Sequence, residues 1–130
     1  MKFIFADSID QIDPDYDFVQ DRHKPGRRPY WSDVYAHEYF AKPPFDGVLV
    51  SRSIVGDSRF PGRYSNAQAM RFRREGARAY LRMDAPHLRT MPIFGDCGAF
   101  SYVKEDAPPY SAENMARFYA HGQFTHGCSV

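Results

Sequence analysis

Three short apolar runs, at residues 2–6, 47–51 and 91–95, each stop at a polar side chain, and a helical pattern separates the second from the third. Runs this short read as buried strands rather than helices. A further helical pattern and a last short run, 124–130, follow. The order is strand, long loop, strand, helix, strand, helix, strand. That alternation predicts βα units and a parallel sheet. The runs end in Asp7-Ser8, Ser51-Arg52 and Asp96-Cys97. Ligands of parallel α/β folds bind beyond the carboxyl ends of their strands. Asp7, Ser51, Arg52 and Asp96 are therefore candidates to converge on one mouth. The bland alternative for each is a loop cap or a satisfied turn.

The first helical pattern has a clear start. Ser65-Asn66-Ala67-Gln68 fits a capping box, in which the Ser hydroxyl and the Gln side chain satisfy each other's backbone N–H groups. Ala67, Met70, Ala77 and Leu81 recur at helical spacing, as do Ala69, Phe72, Gly76, Ala79 and Met83, giving a wide apolar face. Arg71, Arg74, Arg78 and Arg82 form a stripe on the other face, which reads as a solvated surface. Asp84-Ala85-Pro86 ends the helix. In the second pattern Ser111 is a cap, Tyr110 and Met115 occupy staple positions, and Gly122 is the stop. Ala112, Met115, Ala116 and Tyr119 are its expected inner face.

Bulk properties exclude several classes. At 130 residues, 43% apolar and 25% charged, the chain reads as one globular domain rather than a disordered segment. A net charge of +1 gives no bulk argument for a nucleic acid or a membrane surface. No apolar stretch approaches the roughly 20 residues of a membrane span, and no secretory signal opens the chain. Cys97 and Cys128 lack the close pairing of a zinc site, and His121 and His126 flank a glycine-rich turn, so no metal is assigned. Reduced thiols and a cytoplasmic setting are the expectation.

Residues 11–46 carry five prolines that break any long element, so they read as a long loop insertion. At its centre Arg22, Lys24, Arg27, Arg28, Tyr30 and Trp31 mix cations with aromatics. A loop of this kind beside a reaction mouth would hold phosphate and stack a base. The alternative is a solvated loop with Tyr30 and Trp31 anchored in a small core.

The stretch FGDCGAFSY at 94–102 is the most informative. Gly98 and Ala99 have almost no side chain, which admits a flat ligand or another backbone. Gly95 and Gly98 bracket Asp96 and permit a tight turn, and Phe100 offers an aromatic face. A carboxylate beside such a slot suits a heterocycle with N–H donors, or acts as a general acid or base. A tight βα turn with a capping Asp fits the spacing equally well.

Here the chain resembles the tRNA-guanine transglycosylases and their DNA-acting relatives. Their motif is Asp-Ser-Gly-Gly-Phe-Gln. Asp96, Gly98 and Phe100 match it, Cys97 and Ala99 are small-residue exchanges, and Ser101 replaces the Gln. KFIFADS, PYW, the DG-LVSR-IVGD and Y-QAMRFRREGAR patterns, PIFGDCGAFSY and FTHGCSV all look like the DpdA-like branch, which places 7-deazaguanines in DNA. The resemblance implies the N-terminal part of a (β/α)8 barrel, about four parallel strands with intervening helices, since a whole barrel takes about 250 residues. It also implies replacement of guanine by a 7-deazaguanine through a covalent glycosyl-enzyme. Asp96 matches the acid that assists proton transfer at the incoming base, and Phe100 the aromatic that packs on it. Cys97, Gly98 and Ser101 match pocket positions, with base-edge reading weakened because a hydroxyl reaches less far than a carboxamide. The nucleophile, a second base-reading Asp and a structural zinc site with a Cys-x-Cys-x-x-Cys motif are expected downstream, and no cofactor is expected within these residues. DNA or tRNA, a 7-deazaguanine base and proteins of a DNA-modification system are the implied partners, with no membrane.

Two other readings stay open. One is a non-catalytic nucleic-acid-binding or assembly module, because half a barrel has no nucleophile. The other is an unrelated barrel enzyme such as a hydrolase. Open sheet edges predict self-association unless more chain is present.

Overall fold

The computed structural model describes residues 1–6 and 10–129. The chain divides into two compact units, residues 1–8 with 45–130, and residues 9–44. The larger is mixed α/β. Its four strands β1 (Ile4–Phe5), β4 (Gly47–Ser51), β5 (Ile93–Asp96) and β6 (His126–Gly127) lie side by side in that order and pair in parallel throughout. Strand order follows chain order, with helical connections between β4 and β5 and between β5 and β6, as in a segment of a (β/α)8 barrel.

The sheet has two unlike faces. Along β4 and β5, Val48, Val50 and Ile93 are fully buried, whereas Leu49, Ser51, Phe94 and Asp96 are half-buried. Within the larger unit the helices lie on the face of the fully buried set, and none of its described strands lies over the other face. The aromatic ring of Phe94 stacks on His126 across this half-open face, with centroids 4.3 Å apart.

On the covered face Tyr119 sits directly over the backbone of β5 and β6. A Cβ on Gly95 would lie 2.2 Å from the Tyr119 ring, and one on Gly127 2.3 Å. Gly95 is thus a seat for a helix side chain, not a hinge for the turn at Asp96. Tyr119 belongs to α5 (Ala112–His121), whose Ser111 cap accepts from the Asn114 N–H. Tyr110 and Met115 are both buried as the staple predicts. The inner face of α5 differs from expectation: Met115, Phe118 and Tyr119 point inward, while Ala112 and Ala116 are exposed.

The capping box at Ser65 forms as read: Gln68 N–H donates to Ser65 Oγ at 3.2 Å, and Ser65 N–H to Gln68 Oε1 at 2.8 Å. The helix does not run on to Met83. It stops as α3 (Asn66–Glu75), and a short α4 (Ala77–Tyr80) restarts after Gly76. Gly76 takes φ 83°, ψ 161°, a conformation open to glycine, and Ala77 N–H donates to Gly122 O instead of continuing the ladder. The break ends the arginine stripe. Arg71 pairs with Glu75, whereas Arg78 turns in to the carbonyls of Leu88 and Met91. Met70 is left exposed, and Phe72, Tyr80, Leu81 and Met83 fill the core.

The smaller unit, read as a long loop, carries a ladder of its own. β2 (Gln11–Ile12) pairs antiparallel with β3 (Val34–Tyr35), which leads into a one-turn helix α1 (Ala36–Tyr39). Arg27 grips Asp33 through two hydrogen bonds of 2.9 and 2.6 Å, and His23 Nδ1 lies 2.6 Å from Asp13.

Candidate active site at the ends of the parallel strands

Ser51 and Asp96 are register partners, the last pair of the β4–β5 ladder. The next residue of the β6 extension, Cys128, donates its N–H to Gly95 O at 2.8 Å, so it reaches the same level beside Asp96. Three neighbouring strands therefore end together at a hydroxyl, a carboxyl and a thiol. Cys128 is exposed, yet partial desolvation raises its thiol, and the nearby Asp96 carboxyl adds to that.

The chain leaves Asp96 by a tight turn. Gly98 N–H donates to Asp96 Oδ2 at 3.0 Å, and Gly98 adopts the left-handed conformation, φ 81°. A Cβ at Gly98 would lie 2.5 Å from Ser53 Oγ and 2.9 Å from Ser51 Oγ. These hydroxyls are themselves 2.9 Å apart. Turn formation and a place in the strand-end cluster thus coexist in Asp96.

After Gly98 the chain makes a 3-10 turn, Ala99–Tyr102, with Ser101 N–H donating to Gly98 O. Phe100 is 96% exposed at its apex. Ser101 and Ser53 line a cavity of about 240 Å3 with Tyr102 and Tyr110. Tyr102 donates its hydroxyl to Cys97 O at 3.2 Å. Burial, then hydrogen bonding to Cys97, holds that phenol well above its usual range.

Two residues do not join the cluster. Cys97 is buried on the helix side with Tyr110 and Met115, where it packs rather than lining a mouth. Arg52 starts the short helix α2 (Arg52–Val55), and its side chain folds back. It donates to Gly56 O and to Asp57 Oδ2, at 2.8 and 2.7 Å, with its guanidinium over the rings of Tyr110 and Phe118. A strand-end position does not fix the direction of the next side chain. Asp7 lies outside the described residues.

In the smaller unit Arg27 is committed to Asp33, whose hydrogen bonds raise the guanidinium further above its ordinary value. Arg22, Lys24 and Arg28 remain exposed, with Lys24 3.5 Å from Asp15. Trp31 is 74% exposed, so it is not anchored in a core, and Tyr30 meets it edge to face. Sequence reasoning missed Ser53, Tyr102 and Cys128. Cys128 lies within the last short run, and Ser53 closes the polar Ser51-Arg52-Ser53 end of the second, but neither position by itself marks a site residue.

Among the described residues no group of three or more His, Cys, Asp or Glu is placed to hold a metal ion. The structural zinc implied by the resemblance has no ligand set in them. No described helix is long and apolar enough to cross a membrane.

No family model matches the chain. Over its whole length it is 40% identical to a protein named DNA-guanine transglycosylase from Salmonella montevideo. The chain spans about 30% of that relative's length.

Proposed function

We propose that this chain is part of a guanine transglycosylase that exchanges guanine in DNA for a 7-deazaguanine. The observation that carries the reading is the strand-end cluster of Ser51 and Asp96, held on the half-open face of a parallel sheet in a chain 40% identical to a DNA-guanine transglycosylase. Its nucleophile, an aspartate by family resemblance, comes from chain outside these residues. It attacks the sugar C1′, the glycosidic bond breaks, and guanine leaves with a proton on its ring nitrogen. The incoming base attacks C1′ in turn, loses its N–H proton, and releases the carboxylate. Asp96 gives the leaving guanine its proton and takes one back from the incoming base.

Asp96 suits this role because its turn is fixed by Gly98 and its neighbours are small. Ser51 supplies a hydroxyl at the same level, and the Ser101–Tyr102 turn borders the space beyond. Phe100 covers the bound base, and its exposure leaves a face free to stack. A target base inside a duplex leaves the stack before reaction. In the smaller unit Arg22, Lys24, Arg28 and Trp31 suit nucleic-acid contact of their own, with phosphates on the cations and a base on the indole.

The test is to incubate the whole protein with radiolabelled guanine and either DNA or tRNA. Incorporation of label into DNA supports the reading. Labelled tRNA alone would move the substrate to RNA. Release of free guanine with no incoming base would make the enzyme a hydrolase.

A further inference from the structure

Three guanidiniums border one groove on the helix side of the larger unit, away from the strand-end cluster. The groove, about 320 Å3, lies between α3 and α5. Arg52, Arg73 and Arg117 line it, with His121, Asn114 and Phe118. The cations are unevenly compensated. Arg52 has Asp57 at 2.7 Å, and Arg117 lies 3.4 Å from Glu113, a pair open to solvent. Arg73 donates to Gly56 O, the same carbonyl that Arg52 uses. Two guanidiniums on one neutral acceptor leave a positive charge in excess. Burial and the charge of Arg52 depress Arg73 below the ordinary arginine value, and the pull of Asp57 does not offset them.

We propose that this groove is an oxyanion site that takes a phosphate group. Arg73, whose head group is partly desolvated where it meets Gly56 O, and the exposed Arg117 flank the groove from α3 and α5, and Arg52 forms the floor beside Tyr110 and Phe118. Asn114 lies on the α5 side, its amide nitrogen donating to Ser111 Oγ at 3.0 Å with a second N–H left to give. A phosphate here accepts charge-assisted hydrogen bonds and relieves the repulsion between Arg52 and Arg73. The phosphate comes either from a free phosphate or from a nucleic-acid backbone, and the chemistry of recognition is shared. The site is independent of the base-exchange reading, and none of its residues belongs to the strand-end cluster.

The experiment uses the whole protein with Arg73→Gln and Arg117→Gln variants, each checked for an unchanged thermal midpoint. If Arg73→Gln fails to fold because it loses Gly56, Arg117→Gln carries the test. In one arm inorganic phosphate is titrated calorimetrically at constant ionic strength. In the other, affinity for a DNA duplex is followed against salt. A free-phosphate site gives saturable binding that weakens roughly tenfold in each variant, with DNA affinity unchanged. A backbone site lowers the salt slope by about one per arginine removed. Either result supports the groove as an oxyanion site. No variant effect in either arm overturns it.

Discussion

Ser51 and Asp96 face each other as the last pair of the β4–β5 ladder, on the sheet face that helices leave open. Strand pairing, and not a flexible loop, sets their spacing. Polar groups built on strands hold their geometry better than groups on loops. The turn after Asp96 then depends on one residue, Gly98.

Gly98→Ala should destabilise the protein by about 2 kcal/mol, from a left-handed backbone and a Cβ pressed against Ser53. Denaturant midpoints check this. A loss close to zero would mean that the turn relaxes and that Gly98 does not fix Asp96.

Gly95→Ala should push Tyr119 off the sheet at a cost of about 1–3 kcal/mol. Adding Tyr119→Leu, which makes room, should recover part of that loss. The double mutant is then less destabilised than the sum of the singles. Strict additivity would show that the ring and Gly95 are not in contact.

Much of this was legible in the sequence because it is local. The Ser65–Gln68 box, the Ser111 cap and the Tyr110–Met115 staple involve residues a few positions apart. The break at Gly76 was not, since glycine at an apolar helical position reads as part of the face. What stops the helix is distant: Ala77 donates to Gly122. Likewise Arg52 and Cys97 follow strand ends, yet both turn toward the helices because Asp57, Tyr110 and Met115 receive them there. The ladder of two-residue strands in 9–44 is too short to leave a pattern of period two.

Asp57→Asn should destabilise by about 3 kcal/mol, because it leaves Arg52 charged between two rings. Burial raises the Asp57 pKa, but N–H donors from Phe60 and Arg59 and the Arg52 charge outweigh it and hold the carboxyl below its usual range. A depressed folded pKa contributes stability that is present above the unfolded value, near 3.9, and lost as pH falls through the folded one. Acid unfolding of the wild type should carry this contribution, and that of Asp57→Asn should not. Parallel acid profiles would refute the pairing.

Although exposed, Cys128 should alkylate more slowly than a free thiol at neutral pH, since partial desolvation and the Asp96 charge disfavour its thiolate. Removing that charge in Asp96→Asn lowers the thiol pKa, so iodoacetamide should react faster and its pH profile should shift down. An unchanged profile would separate the two side chains.

Base exchange by the Asp96→Asn variant of the whole protein is the most direct measurement. Labelled guanine entering DNA should fall by about 100-fold or more, the scale of a lost general acid or base, while the thermal midpoint stays near that of the wild type. Exchange at a near-normal rate in a folded Asp96→Asn protein would contradict the role assigned to Asp96 and the strand-end cluster built around it.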